Sequence, residues 1–415
     1  KILSFSVLGL LLSAGSAMAQ YHPYSTPAAL PVPVNATPST YYDNPTPIAQ
    51  DEYHAEEHQL HQHHDYIENW DGGYGYGSGC SSCGTGCGAD WFSGFGNGGC
   101  GSCGPNWYGR VGGLVMQRDD ADPIWTSFDN TNIYSALLGT PTAGHEWRGG
   151  YEVSIGRRLC NNLWIGGTYW TLDPDNTQAS VNAPGGIINS TFDFRTFSLN
   201  GTPVNSWFDN ALAHRLTLRS EFHNLELNIY GDFTNCDPCS RHRFSWFAGA
   251  RWFRFKDDFL FETSDNSQTF GVDLANEAYW NINVTNNLIG GQIGGTAEYA
   301  INRCLSVYAT PSVGLYHNRM TYDSSIRSGD GFLAYEIYSD KNDFAILSQI
   351  DFGTSYNVNN CLRLYGGYRV VGVSGVALSG DQIPPLADDL ENIRNINSNG
   401  HLFLHGGFAG VEFRR

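Results

Sequence analysis

The chain has 415 residues, a formal net charge of -18, and 14% aromatic residues. That acidic balance excludes nucleic acid as a partner, because no basic patch is available to neutralise phosphates. Beyond the first residues no run of about 18 apolar residues occurs, which excludes transmembrane helices and leaves a secreted soluble protein, a fibre or a β-barrel.

Residues 1–19 read as a secretory signal: Lys1, an apolar run Ile2–Leu12, and Ala17-Met18-Ala19 before Gln20. Residues 20–105 show no hydrophobic period and are expected to be a disordered periplasmic segment, since they bury too little apolar surface to offset ordering entropy. Within it, His54, His58, His61, His63 and His64 are weak Zn or Ni ligands on a solvated tail. Cys80, Cys83, Cys87, Cys100 and Cys103 have zinc-like spacing, but Gly and Ser flanks offer no core to hold a tetrahedral site. In an oxidising envelope disulfides are the expected state, and an odd number leaves one thiol for another envelope protein, a second copy or a rim cysteine. No cofactor and no metal site is assigned.

From residue 106 onward the pattern has period two, as in Leu305, Val307, Ala309, Pro311, Val313 and Leu315 against Ser306, Tyr308, Thr310, Ser312 and Gly314. Such alternation predicts strands with one apolar and one polar face. Ten are expected, at about 107–118, 146–159, 163–174, 214–233, 242–263, 278–300, 304–322, 344–358, 362–376 and 401–413. A further hairpin within 187–199 would raise the count to twelve. Pro311 lacks a ladder donor and predicts a bulge. Short turns at 160–162, 234–241, 301–304 and 359–361 alternate with long loops near 119–145, 175–213, 264–277, 323–343 and 377–400. The fold class is therefore all-β, an antiparallel transmembrane β-barrel over 106–415 with its turns and both ends in the periplasm.

The short turns carry Cys160, the Cys236/Cys239 pair, Cys304 and Cys361, read as disulfide candidates at the rim. A catalytic thiol would need a base within reach, and the strand map places no single His near all of them. The polar faces carry Arg110, Glu152, Glu226, Arg251, Glu298, Asp351, Arg363 and Arg369. Pointing inward, they form either a charge filter or a paired network that fills the barrel, and near-balanced signs favour the network.

Trp147-Arg148-Gly149-Gly150-Tyr151, Asn162 to Trp170, Phe247 to Phe253 and the closing Gly406-Gly407-Phe408-Ala409-Gly410-Val411-Glu412-Phe413 form a spread of glycines and aromatics. Over roughly 107–415 this resembles the "beta-barrel protein seven" outer-membrane family of planctomycete bacteria. The resemblance implies an outer-membrane barrel of poorly defined activity. One departure is that Phe413 is followed by Arg414-Arg415, where many barrels end on an aromatic that helps insertion.

There is no Gly-x-Ser-x-Gly elbow, His-Glu-x-x-His motif or phosphate-cradling Gly loop, so no enzyme is expected. The expected role is an outer-membrane barrel with a structural or anchoring function, partnered by membrane lipid. The alternative is a porin-like channel for small hydrophilic solutes, with a soluble sugar-binding β-protein a distant third.

Overall fold

The computed structural model describes residues 106–119, 123–159, 163–183, 187–194, 196–233, 241–302, 304–384 and 390–415. The signal read at 1–19, the segment 20–105 with its histidines and cysteines, and Cys160, Cys236 and Cys239 lie outside the described residues.

In chain order the described elements are β1 (Trp107–Arg118), β2 (Trp125–Asp129), β3 (Asn132–Gly139), α1 (Thr140–Ala143), β4 (Arg148–Arg158) and β5 (Leu163–Asn182). They continue with β6 (Ile188–Ser190), β7 (Ser198–Leu199), β8 (Thr202–Pro203), α2 (Asn205–Phe208), β9 (Ala213–Asp232) and β10 (His242–Ser264). Then follow β11 (Glu277–Ala300), β12 (Leu305–Ser328), β13 (Leu333–Asn357), β14 (Leu362–Val376), α3 (Leu390–Arg394) and β15 (Gly400–Arg414).

Ten strands close into one antiparallel barrel, in the order β1, β4, β5, β9, β10, β11, β12, β13, β14, β15 and back to β1. At the seam Asn106 N and Trp107 N donate to Arg415 O at 2.5 and 2.7 Å. The 187–199 stretch adds no barrel hairpin. Its Ile188–Ser190 pairs with β2 in a small sheet outside the barrel, and Ser198–Leu199 pairs with β8.

Strands run on into two of the expected loops. β5 runs on to Asn182, and β12 and β13 extend until only 329–332 separate them. The reason is an inversion of polarity along each strand. On β11 the outward residues Ile293 and Ile289 are 60% and 63% exposed, whereas the following outward positions are Asn287, Thr285, Asn283 and Asn281. Over the same upper rows the inward residues Leu288, Val284, Ile282 and Trp280 are buried. On β10 the outward positions become Arg254, Lys256 and Asp258, with Phe253, Phe255 and Phe259 buried inside. The lower barrel is thus apolar outside and polar inside, as lipid requires, and the upper barrel is polar outside and apolar inside, as water requires. Strands of up to 25 residues, against about 9–11 needed to cross a bilayer, follow directly. At the boundary the Tyr169 hydroxyl meets His223 Nδ1 at 3.0 Å and the Tyr368 hydroxyl meets His405 Nδ1 at 2.6 Å, the amphipathic aromatics of an interfacial girdle.

Pro311 does not form the expected bulge. The β11–β12 ladder pairs Gly294 with Ser312 and resumes at Ala297 with Ala309, keeping its register across the gap. Lacking an N–H, Pro311 interrupts that ladder while staying opposite Ile350 on the other side. The Thr296 and Thr310 hydroxyls lie 3.0 Å apart across the interruption. Register shifts fall instead at Leu172/Asp175, Ile326/Arg327 and Ser374/Val376, the last holding Gly375 at φ 81°, where a side chain would be strained.

Candidate functional site in the barrel lumen

Every second residue of the lower strands points inward, so charges far apart in sequence meet across the lumen. Arg369 on β14 is the hub. It makes a two-pronged contact to Asp351 on β13, Nε to Oδ1 at 2.9 Å and Nη2 to Oδ2 at 2.7 Å. Its remaining Nη1 lies 2.6 Å from Glu152 Oε2 on β4. Arg251 on β10 is 2% exposed and spans the lumen, donating to Asn224 at 2.5 Å and to Gln349 at 2.9 Å. Glu226 sits 3.7 Å from Arg251 and accepts from Gln292 at 2.8 Å, Asn224 at 3.0 Å and Asn228 at 3.1 Å. Gln349 passes the chain on to Asp351 at 3.0 Å. Nearer the short-turn rim, Arg363 pairs with Glu298 at 2.5 Å, and Arg110 pairs with Glu412, which also holds Arg414.

All eight charged residues singled out in the sequence therefore line the lumen. Arg251, Arg363 and Arg369 meet Glu226, Glu298 and Asp351, while Glu152 joins Arg369. Arg110 takes a partner that sequence reasoning missed, Glu412. The neutral amides of Asn224, Asn228, Gln292 and Gln349 were also missed. Their signal was available: each shares the inward parity of its charged neighbours.

Small residues make room for this crowding. Tyr108 turns inward over Gly156 and Gly166, where an added Cβ would lie 2.2 Å from its ring and 2.5 Å from its hydroxyl. Above the polar layer the lumen is apolar. Leu114, Met116, Trp170, Phe253, Leu347, Val371 and Phe408 are buried against one another. Arg369 stacks beneath them, its guanidinium carbon 5.3 Å from the Phe408 ring centre and 5.8 Å from that of Trp170.

A third layer fixes the loop after β14 inside the barrel mouth. Asp257 on β10 takes the Ser379 N–H and hydroxyl, both at 2.8 Å, and is paired with Arg118 at 2.5 Å. Asn286 binds both backbone groups of Ala377, and Asn318 Nδ2 donates to Gly375 O at 3.0 Å. Beside this layer His145 Nδ1 lies 2.8 Å from Asp175 Oδ2, with Arg148 Nε donating to Asp175 Oδ1 at 2.7 Å. Above it a cap of Phe194, Phe208, Phe259, Phe261, Trp280 and Ile282 is buried, with Trp280 5.0 Å from Phe194 and 4.8 Å from the partly buried Phe192 between ring centres.

Of the ten cysteines, the described ones are Cys304 and Cys361. Both sit in the same local fold, an Asn two positions earlier folding back on the turn. Asn302 Oδ1 accepts from the N–H groups of Cys304 and Leu305 at 2.9 and 2.8 Å, and Asn359 Oδ1 accepts from Cys361 and Leu362 at 2.9 and 2.8 Å. This side-chain mimic of a backbone turn explains the Asn-x-Cys form seen in the sequence. The two turns neighbour one another: Asn357, paired with Arg363, donates its N–H to Cys304 O at 2.8 Å. Among the described residues no cluster of His, Cys, Asp and Glu is placed to hold a metal ion.

A family model described as "Putative beta barrel porin-7" matches residues 119–400. No curated relative matches the chain. Similar solved structures include the outer membrane protease OmpT from Escherichia coli, at 13% identity and TM-score 0.38 over 75% of this chain and 97% of that one. A major outer membrane protein from Thermus thermophilus matches at 11% identity and TM-score 0.30, covering 74% and 98%. Outer membrane protein OprG from Pseudomonas aeruginosa matches at 11% identity and TM-score 0.22, covering 75% and 97%.

Proposed function

Because this chain belongs to the beta barrel porin-7 family, its barrel resides in the outer membrane, and we propose that it serves there as a closed anchor rather than as an open channel. The carrying observation is that the lumen is filled at three successive heights: the Arg369 network, the apolar layer around Trp170, and the loop tied to Asp257 and Asn286. A ten-stranded barrel is only slightly wider than one that side chains fill completely. Charges of a filter would face water, whereas Arg251, Arg369, Glu152 and Glu412 are each less than 10% exposed and paired with protein groups. On this reading the barrel holds the extracellular elements β2, β3, β6 and α2 at the surface and performs no chemistry. Liposomes carrying the refolded protein should not swell in isotonic arabinose; swelling at the rate given by an open porin would reverse the assignment to the porin-like reading.

The same proposal includes the cysteines. We assign Cys304 and Cys361 to one disulfide across neighbouring turns of the periplasmic rim. The adjacency of the two turns supports this: the Asn357 N–H donates to Cys304 O, and Asn357 pairs with Arg363, two residues beyond Cys361. Cys80, Cys83, Cys87, Cys100 and Cys103 would extend the crosslinking to a second copy or another envelope protein. Peptide mapping without reductant should recover Cys304 and Cys361 in one linked fragment; two separately alkylated peptides would sink the pairing.

A further inference from the structure

The lipid-facing surface at the barrel seam has a notch. On the outward face β1 contributes Trp107, Gly109, Val111 and Gly113. Each pairs with an outward residue of β4, respectively Arg157, Ile155, Val153 and Tyr151. On the other side β15 places Phe413 beside Gly109 and Val411 beside Val111, and the Arg415 backbone beside Trp107. Gly109 is thus a missing side chain between two exposed apolar ones, Ile155 at 61% and Phe413 at 57%, and an added Cβ there would meet nothing within 4 Å. The recess so formed holds about 270 Å³ and is bounded by Trp107, Ile155, Phe413, Arg414 and Arg415.

Immediately toward the periplasm the row changes character. Trp107 lies between Arg157 and Arg415, and the Arg157 guanidinium sits over the Trp107 ring at 5.1 Å. The neighbouring carboxylate, Glu412, points into the lumen, where Arg110 and Arg414 hold it. One pleat repeat, about 7 Å, separates this cationic row from the notch. An apolar slot in the bilayer with the Arg157 guanidinium at its edge and Arg415 lining it matches one class of ligand, a lipid with an acyl chain below and a phosphate above. Guanidinium suits phosphate because its planar fork donates two parallel hydrogen bonds, and a net negative headgroup is drawn to a rim with this charge.

We propose that the Gly109 notch, with Trp107, Arg157 and Arg415, binds one anionic phospholipid of the periplasmic leaflet. The lipid seals the seam between the first and last strands of the barrel. This site lies outside the barrel and is independent of whether the lumen conducts.

Native mass spectrometry of the full protein, refolded in neutral detergent, tests it. The protein is offered equal amounts of phosphatidylglycerol and phosphatidylethanolamine with identical acyl chains. One phosphatidylglycerol should be retained preferentially, and Arg157→Gln should lower that retention roughly tenfold, the equivalent of one charge-assisted hydrogen bond. Gly109→Leu, which fills the slot without touching a charge, should lower it for both lipids. Both variants should keep the heat-modifiable gel mobility of a folded barrel. Equal retention of the two lipids, or retention unchanged in both variants, would overturn the proposal. So would displacement of the lipid by excess inorganic phosphate, which would mark a plain anion site.

Discussion

Asn286 grips Ala377 as a strand neighbour would: its side-chain amide donates to Ala377 O at 2.8 Å, and its side-chain oxygen accepts the Ala377 N–H at 2.9 Å. The loop after β14 therefore adds its backbone to the barrel wall from inside, through a side chain of β11, three strands away around the barrel. Asn286 and Ala377 are both fully buried, so these bonds have no competition from water.

Removing that grip should loosen the mouth. Asn286→Ala leaves two buried backbone groups unsatisfied and should cost about 2 kcal/mol of stability. More specifically, 377–399 should become cleavable by external protease while the barrel strands stay protected. Unchanged resistance of that loop would show that Asp257 and Asn318 hold it without Asn286.

The Arg369 hub gives a second test. Asp351→Ala leaves Arg369, 5% exposed, with Glu152 as its carboxylate partner and should destabilise the barrel by on the order of 3 kcal/mol, read by urea unfolding in detergent micelles. Adding Arg369→Met should recover much of that loss, because the buried charge is removed along with its missing partner. A single variant as stable as the parent but changed in ion selectivity would favour a filter.

Outside the spanning strands, Asp265 at the start of the loop between β10 and β11 carries a pH dependence. Burial first, and then the nearby Asp209 carboxylate, push it up to about 7, and its Oδ1 has no hydrogen-bond partner. The folded state therefore binds a proton that the unfolded chain, with an ordinary Asp value near 3.9, has already released. Stability from this group is full below about 4 and is lost as pH rises through about 7. Hydrogen exchange of 264–276 should accelerate between pH 5 and pH 8 by this route, and Asp265→Asn should flatten the profile. An identical pH profile in the Asn variant would remove Asp265 as the cause.

The polarity inversion on β11 places the membrane. Ile289→Lys, at the last apolar position of the outward face, should reduce folding into lipid vesicles by about 1 kcal/mol, the penalty expected near the interface. Asn287→Lys, two residues along on the same face, should be close to neutral. Equal penalties at the two positions would place the lipid boundary elsewhere.

Much of this arrangement is legible in the sequence, and the gaps have physical causes. Period-two runs such as Leu225, Leu227 and Ile229 against Asn224, Glu226 and Asn228 mark strand and face at once, since a single alternation serves both. The inversion hides the upper strands: in β5 the outward residues Asn176, Gln178, Ser180 and Asn182 look like loop to a search for an apolar face meeting lipid. Glu412 is the lone charge in the apolar, glycine-rich stretch Gly406–Phe413, so no local pattern marks it as a lumen partner. Asn286 and Ala377 lie 91 residues apart, and no local pattern foretells a side chain imitating a strand.

The central claim is that the lumen is closed, and planar-bilayer recording of the purified, refolded full-length protein tests it most directly. Protein shown by heat-modifiability to be folded should insert without steady conductance steps in molar KCl, and Asn286→Ala should add at most brief flickers. Reproducible, long-lived steps from the unmodified protein, scaling with salt concentration as an aqueous pore does, would contradict the account.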